Sequence, residues 1–256
     1  MQTLNLKSLS TFLLLIVILC LTGCKKSEKS LSLNATETTL TKNQTFNLIV
    51  SPDTSGCVYE SENDFIATVS PSGVITAQLT GETYIDVSNA DKGFAAKCKV
   101  TVSPVYSMYR EPYLVFGKSK TDVKAYETRL LLEEDDSTLF YSGENSYITD
   151  LLYLFEKSAY TVSSSLIPAS QVNLLVNYLT ERYVPVADYG SSGPVYYMTT
   201  DRKTIVDMTM YSDTYWMIIY MPYPTSKEMN SLQYNPELIK TTDIIKNQLK
   251  AIYFRE

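Results

Sequence analysis

Ile66-Ala67-Thr68-Val69-Ser70-Pro71-Ser72-Gly73-Val74-Ile75-Thr76-Ala77 sets two short alternating runs on either side of a Ser-Pro-Ser-Gly turn. Alternation turns every second side chain inward along a strand, and Pro and Gly supply the turn backbone. The same punctuation continues in both directions. Phe46-Asn47-Leu48-Ile49-Val50 ends at Ser51-Pro52-Asp53, and Thr83-Tyr84-Ile85-Asp86-Val87 ends at Ser88-Asn89-Ala90-Asp91. Lys97-Cys98-Lys99-Val100-Thr101-Val102 closes the set. Short strands at this spacing predict an all-β sandwich over residues 31–103.

Read in order, four stretches resemble the group 2 bacterial Ig-like domain of intimin- and invasin-type surface proteins. They are Leu40-Thr41-Lys42-Asn43-Gln44-Thr45-Phe46, Tyr59 to Val69, Ser72 to Ala77 and Thr83 to Val87. Tyr59 stands where that family usually has Trp, and Asn43 where it usually has Gly. The resemblance implies an Ig-like spacer or adhesion module with no catalytic residue to transfer.

Past Ser103-Pro104 the composition changes: 19 of the 21 Tyr and the single Trp lie beyond residue 104. Residues 104–256 therefore read as a second domain. Ser119-Lys120-Thr121-Asp122 is a capping-box pattern, and Val123, Tyr126 and Leu130 follow with helical spacing. Glu133-Glu134-Asp135-Asp136 reads as a loop without the alternating spacing of a calcium site. Strands are expected over Thr138 to Ser142, Tyr147 to Phe155 and Ser158 to Ile167. The order then recurs. Ser170 is the expected cap of a helix carrying Val172, Leu175, Val176 and Leu179, followed by strands over Pro194 to Thr199, Thr204 to Tyr211 and Thr214 to Met221. Ile148-Thr149-Asp150 matches Ile205-Val206-Asp207, and Leu139-Phe140-Tyr141 matches Val195-Tyr196-Tyr197. Two α-β-β-β units predict one curved antiparallel sheet with both helices on one face. This architecture resembles that of the β-lactamase-inhibitor protein and of small lipoproteins of the outer-membrane assembly machinery. Tyr113-Leu114-Val115-Phe116-Gly117 resembles tails of Ig-bearing lipoproteins of gut Bacteroidetes. A terminal helix is expected over Pro236 to Phe254. The fold class is thus multidomain: an all-β Ig-like sandwich followed by an α+β domain.

The first thirty residues carry an export pattern. Lys7 precedes an unbroken apolar run from Phe12 to Leu21, too short to span a bilayer and right for a signal peptide. It meets Leu21-Thr22-Gly23-Cys24, which resembles the lipobox of bacterial lipoproteins. The resemblance implies a signal peptide over 1–23, an acylated Cys24, a tether over 24–30 and anchoring in the outer membrane. Export to an oxidising compartment permits a Cys57–Cys98 disulfide; two buried free thiols are the other reading.

Composition narrows the chemistry. There are 22 Lys+Arg against 28 Asp+Glu and no His, for a formal charge of −6. His triads, His metal sites and a His switch are excluded, and an acidic chain without basic clusters is a poor nucleic-acid ligand. No motif calls for a cofactor or metal. If Ser212-Asp213 forms the turn of its hairpin, Asp207, Tyr211, Trp216 and Tyr220 share the sheet face away from the helices. They are the candidate binding residues for a glycan or a protein; coverage of that face by the C-terminal segment is the competing reading. Asp150 and Asp207 are the carboxylates an acid-residue hydrolase would need. The expectation is a non-enzymatic, lipid-anchored binding or adhesion protein, with a periplasmic inhibitor or assembly factor as the alternative.

Overall fold

The computed structural model describes residues 31–190, 193–223 and 236–253. The expected signal peptide, acylated Cys24 and tether lie outside the described residues.

The first half is an Ig-like β sandwich. Its strands are β1 (Ser32–Leu33), β2 (Glu37–Thr41), β3 (Thr45–Asn47), β4 (Val50–Ser51), β5 (Val58–Ser61), β6 (Ala67–Val69), β7 (Val74–Ala77), β8 (Gly81–Asn89) and β9 (Phe94–Ser103). One sheet runs β2-β9-β8-β5, with β2 parallel to β9; the other runs β3-β7-β6, and β1 pairs with β4. Their inward residues, among them Leu48, Ile75, Ile85, Val100 and Cys98, form one core. Gly73 is required at its turn: its φ is +83°, and a Cβ there would meet the Leu48 carbonyl oxygen at 2.3 Å. Asn43 sits at φ 69°, a left-handed conformation that Asn tolerates better than most residues.

The expected disulfide is absent: Cys57 and Cys98 are free thiols. Cys98 pairs with Ile85 in mid-strand and faces the core, whereas Cys57 lies beside Asn89, four residues further along β8. Four residues of strand is about 13 Å, well beyond disulfide reach.

The second half contains α1 (Lys120–Tyr126), β10 (Leu131–Glu134), β11 (Thr138–Asn145), β12 (Ile148–Glu156) and β13 (Ala159–Pro168). A 3₁₀ turn (Ala169–Gln171) leads into α2 (Val172–Arg182), β14 (Val184–Asp188), β15 (Val195–Met198), β16 (Thr204–Ser212) and β17 (Tyr215–Pro222). The last described element is α3 (Pro236–Tyr253). The Ser119–Asp122 capping box forms as expected. Ser170 does not cap α2; it lies within the 3₁₀ turn.

Each unit has four strands rather than three, and the sheet order is β10-β11-β12-β13-β17-β16-β15-β14. The additional members are the two edge strands. Leu131-Leu132-Glu133-Glu134 does not alternate, and β14 carries Pro185, which is tolerated on an edge strand beside an irregular register. Glu133 and Glu134 are therefore strand residues, and Glu134 pairs with Lys124 of α1.

The two meanders meet at β13 and β17, where Ser164 faces Ile219. Leu152 pairs with Ser164, Asp207 pairs with Ile219, Phe140 pairs with Leu152, and Tyr196 pairs with Asp207. The row Phe140-Leu152-Ser164-Ile219-Asp207-Tyr196 is symmetric about the Ser164–Ile219 pair. By register the counterpart of Asp207 is Leu152, not Asp150.

Helices cover both faces of this sheet. Val123 of α1 packs on Leu139, Leu151 and Tyr153, and Leu175, Tyr178 and Leu179 of α2 pack on Val206, Met208, Ile218 and Tyr220. Ile245 and Leu249 of α3 pack on the reverse side, against Leu152, Leu154, Leu166, Met217 and Ile219.

Candidate functional site

The four residues expected to share an open face are divided between the two sides of the sheet. Trp216 and Tyr220 lie with the α2 cluster, and Tyr220 is 0% exposed. Asp207 and Tyr211 lie on the α3 side, where Thr242 of α3 donates to the Asp207 carboxylate at 3.4 Å. The cause is the hairpin. Its turn is Asp213-Thr214, because Ser212 pairs with Tyr215, and the register then shifts at Tyr211. Met208 consequently faces Ile218 instead of Met217. A one-residue change of register moves every side chain of the strand to the other face. In the first unit the turn is Lys157-Ser158, both at positive φ, and Val162 joins Leu152 and Leu154 on the α3 side.

Asp150 and Asp207 do occupy one side, but β13 and β17 lie between their strands. Three strand spacings separate them by about 14 Å. Glycosidase carboxyl pairs stand roughly 5–10 Å apart, so these two do not make one. Both are buried, each about 1% exposed. Burial pushes the Asp150 carboxyl up to about 8, and the Leu166 backbone offsets only part of that. Burial raises Asp207 to about 7 against weaker help from Thr242 and from Lys246 on α3. A carboxylate without a counter-charge in such a place is costly, and holding the proton avoids the cost.

The concavity that both domains build lies elsewhere, at their junction. Four of the last carbonyls of any helix lack intrahelical partners. In α2 two of them are satisfied from the sandwich: the Thr80 N–H donates to the Glu181 carbonyl at 2.7 Å, and the Lys42 ammonium donates to the Thr180 carbonyl at 2.7 Å. A cation at that end also suits the helix dipole. The Glu181 carboxylate, buried, accepts the N–H groups of Val105 at 3.0 Å and Tyr106 at 2.9 Å from the linker and pairs with Arg182 at 2.6 Å. Arg202 lies 5.5 Å from the Phe65 ring centroid across the same junction. The linker is tied to the first unit as well. The buried Arg129 side chain holds Glu127 at 2.7 Å and Glu144 at 2.6 Å and donates to the Arg110 carbonyl, while Glu144 accepts the Arg110 N–H.

These contacts frame a cleft of about 650 Å³. Glu82 and Thr101 of the sandwich form one wall. Arg110, Glu111, Tyr126 and Arg182 form the other, with Thr199 and Thr200 at its end. Arg110 stacks on Tyr126 at 4.0 Å and Arg182 on Tyr178 at 3.8 Å. Tyr183 donates to Glu111 at 2.6 Å. Flat rings, guanidinium planes and carboxylates converging in a groove are suited to hydroxyl-rich or mixed-charge ligands. Sequence reasoning missed every one of these residues. One signal was present: Glu181 is an acid in the last turn of a helix, where the dipole disfavours it, so a tertiary partner was to be expected.

No known protein family matches the chain. No curated protein matches it either. Among solved structures, an EHEC O157:H7 intimin mutant aligns at 13% identity and a TM-score of 0.24, covering 71% of this chain and 86% of that one. Domains 5–6 of the S-layer protein SbsC align at 14% identity and a TM-score of 0.24, covering 77% of this chain and 86% of that one. At such a TM-score no common fold follows, and the site described above rests on this chain's own geometry.

Proposed function

We propose that the protein is an exported, lipid-anchored lipoprotein of the cell envelope with a non-enzymatic binding or adhesion role, and that its ligand sits in the cleft between the sandwich and the eight-stranded body. The observation that carries this reading is the composition of the cleft, to which both domains contribute walls. The stacked Arg110–Tyr126 pair with Glu82 opposite favours a glycan, since sugars use aromatic faces and charged hydrogen-bonding groups together. A protein ligand gripped by a bare sheet, as in folds of the β-lactamase-inhibitor type that the tandem units resemble, is less favoured, because α3 covers the face it needs.

The test is a glycan array probed with the soluble chain beginning at Lys25, followed by titration of the best binder. Arg110→Ala and Glu82→Gln alter exposed side chains, so binding should fall about tenfold or more with the melting temperature unchanged. An array without binders, or binding indifferent to both substitutions, overturns the assignment. Protease shaving of intact cells then distinguishes a surface protein from a periplasmic one. Cys24→Ala should give an uncleaved or mislocalised precursor without fatty-acid label.

A further inference from the structure

A second cavity, of about 370 Å³, lies on the α3 side of the sheet, away from the domain junction. Three tyrosines, Tyr211, Tyr215 and Tyr253, line it together with Leu166 and the hydroxyl-bearing Thr149 and Thr214. Among the described residues no lysine or arginine lines it. Asp150 lies directly behind this wall. Its chain neighbour Thr149 and its cross-strand partner Leu166 both line the cavity, and it lies near enough to the Tyr211 phenol to disfavour that group's ionisation. Neither carboxylate oxygen of Asp150 has a hydrogen-bonding partner of good geometry.

We infer that this cavity is a binding site for a small organic ammonium ion, caged by Tyr211, Tyr215 and Tyr253 and neutralised by Asp150, which releases its proton to solvent as the cation enters. The negative faces of aromatic rings attract a cation, most strongly where water is excluded, and a nearby cation favours the ionised form of the buried carboxyl behind them. An anion would meet only ring faces and hydroxyls among the described lining residues. A neutral apolar ligand would fill the space but leave the Asp150 carboxyl without a partner. The volume lies at the small end of the range for ligand pockets, which suits a compact ammonium and not a polymer. This site shares no residue with the interdomain cleft, so either assignment can fail without the other.

The experiment is calorimetric titration of choline into the purified full-length protein, with 3,3-dimethylbutan-1-ol as the uncharged isostere. Choline should bind with a dissociation constant in the millimolar range or tighter, and the isostere at least about tenfold more weakly. Asp150→Asn keeps the shape and removes the ability to ionise, and should weaken choline about tenfold or more. Tyr215→Ala should do the same, while Arg110→Ala should leave choline binding unchanged. Far-UV circular dichroism and melting of each variant establish that it is folded, and Tyr253→Ala, at an exposed position, provides a further cage variant. Equal binding of choline and its isostere, choline binding that survives both Asp150→Asn and Tyr253→Ala, or no heat of binding up to about 10 mM choline overturns the inference.

Discussion

The ammonium of Lys42, in the sandwich, donates to the carbonyl of Thr180 at 2.7 Å, so a residue 138 positions away closes the last turn of a helix in the other domain. Beside it the Glu181 carboxylate holds the linker N–H groups of Val105 and Tyr106. The relative placement of the two domains is therefore written into the cap of α2.

Glu181→Ala should uncouple the domains. It leaves two linker N–H groups without their acceptor, at about 1–3 kcal/mol each where water cannot replace it. Urea denaturation should change from one transition to two, with the sandwich and the eight-stranded body melting separately. A single transition with an unchanged midpoint would count against this role for Glu181.

Stability should fall with rising pH. Asp150 and Asp207, raised to about 8 and about 7 by burial, hold protons in the folded chain that the unfolded chain has already released from about pH 4 upward. Their contribution is present in full below about pH 4, is lost progressively up to about pH 8, and is level beyond. The double variant Asp150→Asn, Asp207→Asn should melt higher than the parent at pH 8.5 and differ little from it at pH 4.5. Parallel melting curves of the two proteins across that range would contradict the burial argument.

Tyr220→Phe should destabilise the body by about 1–2 kcal/mol. The Tyr220 and Tyr109 hydroxyls bond at 2.6 Å in the interior, and the change leaves Tyr109 without that partner. Chemical denaturation measures the loss, while binding in the cleft should be altered only through stability.

The thiols should titrate as two free groups in the denatured, non-reduced protein. In the native protein Cys57, half-buried, should react with a disulfide reagent before Cys98, which is fully buried and whose thiol burial pushes up. A single class of unreactive sulfur after denaturation would show a bond.

Local sequence determined a good part of this molecule. Alternation around Ser70-Pro71-Ser72-Gly73 set the sandwich strands, because a strand with one buried face must alternate and a tight turn needs Gly73 at positive φ. Ser119 and Asp122 set the start of α1, because a capping box is closed within four residues. The recurrence of helix and strands after Pro168 was likewise legible. What lay beyond local pattern was register and coverage. The shift at Tyr211 belongs to the pairing of β16 with β17, and it alone sends Trp216 and Tyr220 to one side and Asp207 to the other. The edge strands β10 and β14 owe their state to the neighbours they pair with, not to their own residues. The cleft and the Lys42–Thr180 contact join residues far apart in the chain; no spacing rule reaches them, because hydrogen bonds left open at a helix end are satisfied by whatever the tertiary fold brings there.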